Sequence, residues 1–74
     1  MYNSIFSGMI AQAINDCILY GNGRETTSLC TGDKFNTVTV RADWANDEES
    51  IEVAIYENQV LRFYYVERIP EEYR

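Results

Sequence analysis

The side chains that could perform chemistry in this chain are mostly carboxylates. Twelve Asp and Glu residues stand against six Lys and Arg, and there is no histidine. Without histidine, a Ser or Cys nucleophile has no imidazole base, and a zinc ion lacks one of its principal ligands. Cys17 and Cys30 are not in a metal-ligand spacing. We therefore expect neither nucleophilic catalysis nor a zinc site.

The run from Asp43 to Glu49 (DWANDEE) offers two other kinds of chemistry. Paired carboxylates can act as general acid and base, but one of them must then lie in an apolar pocket, and this run is a polar turn. Oxygen ligands can bind calcium, but the run lacks the glycine and the spaced carboxylates of a calcium-binding loop. A solvated, charged turn is the better interpretation. We expect no enzymatic activity, no metal and no other cofactor.

Acidic residues crowd one predicted hairpin and its turn, where only Arg41 offsets them nearby. They are Asp43, Asp47, Glu48, Glu49, Glu52 and Glu57. They could simply keep a small protein soluble. Alternatively, they form a negative face that docks on a basic, nucleic-acid-binding protein, with neighbouring aromatic side chains as buried anchors. The anchors predicted for this partner-binding site are Trp44, Tyr56 and Tyr64.

One helix and one sheet have to position these residues. From Ser4 to Tyr20, apolar residues recur in pairs every four residues, which predicts a helix with one broad apolar stripe. Ser4 is a suitable N-cap, and Gly21-Asn22-Gly23 ends the helix with residues that tolerate the left-handed conformation. The stripe needs an apolar surface to cover, and only the strand-like remainder of the chain can supply it.

Three segments alternate apolar and polar residues or are rich in strand-forming residues, and a fourth is a weaker candidate at a sheet edge. The predicted strands are 35–44, 50–57 and 60–69, with 24–31 at the edge, and the predicted turns are 32–33, 45–49 and 58–59. Residues 60–69 are apolar on both faces, which indicates a central strand or one whose second face meets a partner. Pro70 ends this strand, and a polar tail follows.

The last strand has two predicted faces. Val60, Tyr64 and Val66 are placed on one face, and Leu61, Phe63, Tyr65 and Ile69 on the other. The fold class is then α+β, a two-layer sandwich in which an N-terminal helix packs on a three- to four-stranded antiparallel sheet in the order α-β-β-β-β. Seventy-four residues make a single domain with a thin core.

Compartment and partner class follow from charge and apolar runs. The N-terminus lacks a basic segment of the secretory type and no apolar run reaches 18 residues, so we expect a cytoplasmic protein. The two cysteines are then small buried hydrophobes, with a disulfide as the alternative. A net charge of −6 repels phosphate backbones and anionic lipids, so we expect no direct binding to nucleic acid or membrane.

In size, acidity and helix-plus-sheet layout, the whole chain resembles small phage-encoded counter-defence inhibitors, such as anti-CRISPR proteins and inhibitors of uracil-DNA glycosylase. No sequence motif carries this resemblance, so it assigns no residues. It implies a stoichiometric inhibitor, such as a DNA mimic, that occupies a basic groove on a nuclease or surveillance complex in the host cytoplasm.

The leading hypothesis is therefore a small acidic interaction protein that binds and inhibits a basic nucleic-acid-handling protein or complex. The first alternative is a structural or assembly protein that self-associates, as a homodimer for example, through the second apolar face of residues 60–69. The second alternative is an immunity or antitoxin protein for a basic toxin. The sequence leaves open the partner, the oligomeric state and which acidic residues converge in space.

Overall fold

A computed structural model describes residues 4–30 and 36–74 of the chain. Its elements are helix α1 (Ser4–Tyr20), strands β1 (Arg24–Cys30), β2 (Asn36–Trp44), β3 (Ser50–Glu57) and β4 (Val60–Arg68), and a short 3-10 turn (Glu71–Tyr73). The four strands form one antiparallel sheet in the order β1-β2-β3-β4, and α1 packs on it. The predicted α+β class and element order are confirmed, whereas the predicted turn at 32–33 lies outside the described residues.

Helix α1 covers β1 and β2, and β3 to a smaller extent. Its buried residues Met9, Ala13 and Cys17 follow the predicted stripe at spacings of four residues. Cys17 is a free thiol, and its burial raises its pKa. The sheet contributes the inward residues of β2 and β3 and one residue after β4: Val38, Val40, Ala42, Ile51, Val53, Ile55 and Ile69.

The end of α1 is tied to the end of β2. Gly21 and Gly23 have positive φ, 97° and 77°, as expected for residues that stop a helix and turn the chain. The Gly23 N–H donates to Asp43 Oδ1 at 2.8 Å, and the Trp44 N–H donates to Asn22 Oδ1 at 2.8 Å. These bonds fix the helix end over the sheet.

Strand β4 lies at an edge of the sheet, so the first of its two predicted interpretations, a central strand, is wrong. The second, a strand whose second face meets a partner, stays a prediction. The β3–β4 register shifts between Ile55 and Tyr56, which leaves Arg62 without a directly opposite residue. This bulge moves Leu61 onto the face of Tyr64 and Val66, since Leu61 pairs with Tyr56. Val60 and Leu61 therefore each lie on the face opposite to the one predicted. Alternation fails here because one extra residue reverses all side chains beyond it.

The two faces of the sheet differ sharply. On the helix side, the valine, isoleucine and alanine residues of β2 and β3 are buried: Val38, Val40, Ala42, Ile51, Val53 and Ile55. We call the other side of the sheet the open face, because no described element covers it. It carries the strand residues that alternate with the buried residues. Its β1–β2 half is polar, with Thr27 and Thr39 joined by a hydroxyl hydrogen bond of 3.0 Å. Its β3–β4 half carries tyrosine and aliphatic side chains.

Candidate functional site

Asp43, the first acidic residue of the predicted site, is engaged within the protein. Its carboxylate accepts hydrogen bonds from Arg41 Nε at 2.8 Å and from the Gly23 N–H at 2.8 Å. The pKa of Asp43 is lowered, chiefly by the Arg41 hydrogen bond, with the Gly23 amide acting in the same direction. The same guanidinium also reaches Glu25 at 3.3 Å. Asp43 therefore links β2 to the segment that follows the helix.

Asp47 holds the turn between β2 and β3. Its carboxylate accepts from the N–H groups of Glu49 at 2.9 Å and Ser50 at 3.0 Å, and from the Ser50 hydroxyl at 3.2 Å. The pKa of Asp47 is lowered, first by the Glu49 amide. Asp and Asn favour such turns because their short side chains can bond to nearby backbone amides. Because these three hydrogen bonds occupy its carboxylate, Asp47 has fewer acceptor sites left for a partner.

Glu49 and Glu57 are paired with arginines of β4 and the C-terminus. Glu49 forms ion pairs of 3.2 Å with both Arg68 and Arg74, and Glu57 forms one of 3.3 Å with Arg62. The expectation that only Arg41 offsets the acidic residues nearby is therefore wrong. The pairing of β4 with β3, and the C-terminal turn that follows, place these arginines beside the acidic hairpin.

Glu48 and Glu52 make no ion pair with any described residue. Glu48 has a positive φ of 60° in the turn, and its side chain is exposed. Glu52 pairs across the sheet with Asp43 and accepts a hydrogen bond from the Tyr64 hydroxyl. The pKa of Tyr64 is raised, first by partial desolvation of its half-exposed side chain and then by this bond. Two carboxylates thus lie side by side on the open face, one held by Arg41 and the other by Tyr64.

The three predicted anchors do not share a surface. Trp44 lies on the helix side, where it packs against the core and its indole N–H donates to the Cys17 carbonyl at 3.3 Å. With Glu48, it lines an open groove of about 350 Å³ beside Asn22 and Arg74. Tyr56 and Tyr64 lie on the open face.

The nine predicted residues therefore divide into separate groups. Four share the open face of the sheet: Asp43, Glu52, Tyr56 and Tyr64. Glu57 pairs with Val38, a helix-side residue, at the opposite end of β3 from the turn at 45–49. One continuous acidic face does not form, because the sheet register separates residues that are close in sequence.

A different surface stands out, which we call the β4 surface. It consists of half-exposed apolar side chains on both faces of the edge strand: Val60, Leu61, Phe63, Tyr64, Tyr65 and Val66, each 37–56% exposed. Every residue of β4 is exposed, although the strand pairs with β3 along its length. The two apolar faces of this segment were predicted from its sequence, whereas their cover, by neighbouring strands or by a partner, was left open.

The outer edge of β4 also presents main-chain groups. The Ile69 N–H donates to the Glu49 carbonyl at 2.9 Å, so Ile69 points its peptide groups towards β3. In an antiparallel pair this direction alternates along the strand. The N–H and C=O groups of Tyr64 and Val66 therefore point away from β3, where no other described strand pairs with them. Such an edge is a template for another strand.

The described residues offer neither a metal-binding cluster nor a membrane-spanning helix. Among residues 4–30 and 36–74, no group of three or more Cys, Asp or Glu side chains could hold a metal ion. Within the same residues, no helix combines the length and apolar character needed to cross a membrane. Comparisons of the chain with protein-family models, with curated proteins and with solved structures give no match.

Proposed function

We propose that this protein acts by binding another protein chain through the β4 surface, without catalysing a reaction itself. The observation that supports this most directly is the 37–56% exposure of six apolar side chains on an edge strand. Soluble monomers seldom leave an apolar edge uncovered, because it invites pairing with another chain. Recognition by strand addition uses both features, main-chain groups for affinity and side chains for specificity.

The aromatic residues at the middle of β4 suit this role. Phe63, Tyr64 and Tyr65 supply large contact areas with few rotatable bonds, and Tyr is enriched at the centres of interfaces. Along the strand, the charged residues Arg62 and Glu67 flank them. This arrangement of an apolar centre with a polar rim is typical of protein interfaces.

A second candidate function is inhibition of a basic nucleic-acid-handling protein in the cytoplasm. The observation that favours it is a group of exposed carboxylates without ion pairs to described residues, Glu48, Glu71 and Glu72, in a chain of net charge −6. The Arg74–Glu49 ion pair of 3.2 Å holds the C-terminal turn against the β2–β3 turn, so these carboxylates lie towards one end of the sheet. Their field would steer a basic partner.

Affinity capture with matched variants tests both candidates. The bait is the tagged protein, in lysate of the organism that encodes it and with an untagged copy co-expressed. Tyr64→Lys places a charge at the centre of the β4 surface and can still pair with Glu52, and Tyr73→Lys makes the same change at a tyrosine of similar exposure, 60%, outside β4. We expect Tyr64→Lys to lose proteins that Tyr73→Lys keeps.

Salt separates the two candidates. Apolar capture through β4 should persist at high salt, whereas capture through carboxylates should weaken, and replacing Glu48, Glu71 and Glu72 with Gln should reduce it. If Tyr64→Lys keeps every protein that the parent binds, β4 is not the binding surface. If DNA or RNA competes with a salt-sensitive partner that needs the three carboxylates, the inhibitor function is favoured.

A further inference from the structure

We infer that the occupant of the β4 surface is a second copy of this chain, whose β4 strand pairs antiparallel with the first about a two-fold axis at Tyr64. This inference rests on the proposed role of β4 in binding and identifies the partner. Two four-stranded sheets would then join into one sheet of eight strands. The inference follows from the edge geometry, the order of side chains along β4 and the area that they expose.

The direction of the main-chain groups permits this pairing. Tyr64 and Val66 point their N–H and C=O groups away from β3. With the axis at Tyr64, the two Tyr64 residues exchange a pair of hydrogen bonds, and Val66 of each copy faces Arg62 of the other. The outward main-chain groups of Tyr64 and Val66 therefore provide the hydrogen-bonding groups of the new interface.

The side chains favour this register over its neighbour. With the axis at Tyr64, Phe63 of each copy stands opposite Tyr65 of the other, which gives two cross-strand aromatic pairs. Moving the axis to Tyr65 places Arg62 opposite Arg68 of the other copy, and like charges in that position are destabilising. The Tyr64 register has no like-charged pair between Arg62 and Val66, the five residues next to the axis.

The exposed area reaches the lower limit for a specific pair. Six side chains about half exposed, at roughly 150–200 Å² for each complete side chain, offer about 450–600 Å² per copy. Two copies therefore offer about 1,000 Å², which is the lower limit for a specific protein interface. The net charge of −6 per copy opposes the pairing, and Glu52 and Glu67 are acidic residues close to the new interface.

The solution mass of the purified chain tests the inference directly. Sedimentation or light scattering should give about 17 kDa, twice the chain mass of 8.6 kDa. We expect Tyr64→Lys, which brings two like charges together at the axis, to raise the dimer dissociation constant at least tenfold, and Tyr73→Lys to leave it within twofold. Raising the salt concentration should not weaken the parent dimer, because the two copies carry net charges of the same sign. A mass of 8.6 kDa at about 100 µM chain would overturn the inference.

Cysteine crosslinking tests the register. Residues exchanging hydrogen bonds across an antiparallel pair have Cα atoms about 5.5 Å apart, within the range of a disulfide. Tyr64→Cys should therefore crosslink to a covalent dimer under mild oxidation, and Tyr65→Cys should not, with the parent chain as the control for its own two cysteines. A crosslink through Tyr65→Cys alone would overturn the register, and a crosslink through neither would overturn edge pairing.

These results can be distinguished from a failure of the proposed function. If the parent chain is monomeric yet Tyr64→Lys loses a captured protein that Tyr73→Lys keeps, the β4 surface binds a different partner, and only the second-copy inference fails. If the chain is monomeric and capture does not depend on Tyr64, both proposals fail.

Discussion

Replacing Asp43 with asparagine should destabilise the fold, because it removes the carboxylate charge that pairs with Arg41. The oxygen of the new amide side chain can still accept from the Gly23 N–H, but the charge-assisted bond from Arg41 Nε, 2.8 Å long, is lost. A hydrogen bond to a charged group contributes about 1.5–3 kcal/mol. The Arg41 side chain is 43% exposed and that of Asp43 27%, so solvent screening reduces the expected loss to about 1 kcal/mol.

Thermal or urea unfolding measures this loss. For a domain of this size, about 1 kcal/mol corresponds to a fall of roughly 4–8 °C in Tm. Parent and variant must be compared at one protein concentration, because self-association makes Tm depend on concentration. The matched control is Glu25→Gln, which removes the other carboxylate beside Arg41. Since that contact is 3.3 Å long and both side chains are about half exposed, it should cost less than about 0.5 kcal/mol.

The pH dependence shows whether the effect is electrostatic. The native pKa of Asp43 lies below its ordinary value because Arg41 stabilises the carboxylate. The unfolded chain therefore binds this proton more readily, and the stabilisation is complete above the unfolded pKa of about 3.9 and is lost as pH falls through the native value. The gap between parent and Asp43→Asn should be constant above about pH 5 and close below about pH 4. An equal gap at pH 3 and pH 7, or an equal loss in Glu25→Gln, would refute this role.

Three further changes test other parts of the structure. Val53→Ala removes two buried methyl groups and should lower the free energy of unfolding, measured in urea, by about 2–3 kcal/mol. Val66 is 52% exposed on β4, so Val66→Ala should cost less than about 0.5 kcal/mol in a monomeric background. Equal losses would contradict the assigned burial. Gln59→Gly should stabilise the β3–β4 hairpin by about 0.5–1 kcal/mol, because Gln59 has a φ of 69° that glycine adopts without strain, and a lower Tm would count against this. Asp47→Ala should lower Tm at pH 7 and have less effect at pH 3, since the pKa of Asp47 is lowered by the amide and hydroxyl bonds of the turn; no change at pH 7 would mean that the turn does not need the carboxylate.

Periodicity predicted the local elements because each pattern arises from neighbouring residues. The stripe of α1 and the alternation in β2 and β3 appear in the structure at nearly the predicted bounds. The Asn58–Gln59 turn was recognisable because Asn tolerates positive φ, and its φ is 50°. The bulge at Arg62 was not recognisable, because the apolar residues on both sides of it fit either register.

The candidate site was harder to predict because it depends on contacts between distant residues. Glu49 is paired with Arg68, 19 positions further along the chain, and only the β3–β4 register brings the two together. Asp43 and Arg41, by contrast, are two positions apart on one face of a strand, and their pairing could have been inferred from alternation. Counting charges along the hairpin therefore overestimated how much negative charge is available to a partner.

That one strand lies outside the cover of the helix follows from dimensions that the sequence already contains. A helix is about 10–12 Å across, and strands lie about 4.8 Å apart, so one helix covers two to three strands. One predicted helix and four predicted strands therefore leave a strand without a helical cover. In the structure that strand is β4, at the edge away from α1, and its apolar side chains remain about half exposed where the inward residues of β3 are at most 4% exposed. The proposed binding through the β4 surface would cover this apolar edge strand, which the acidic residues of the chain leave unexplained.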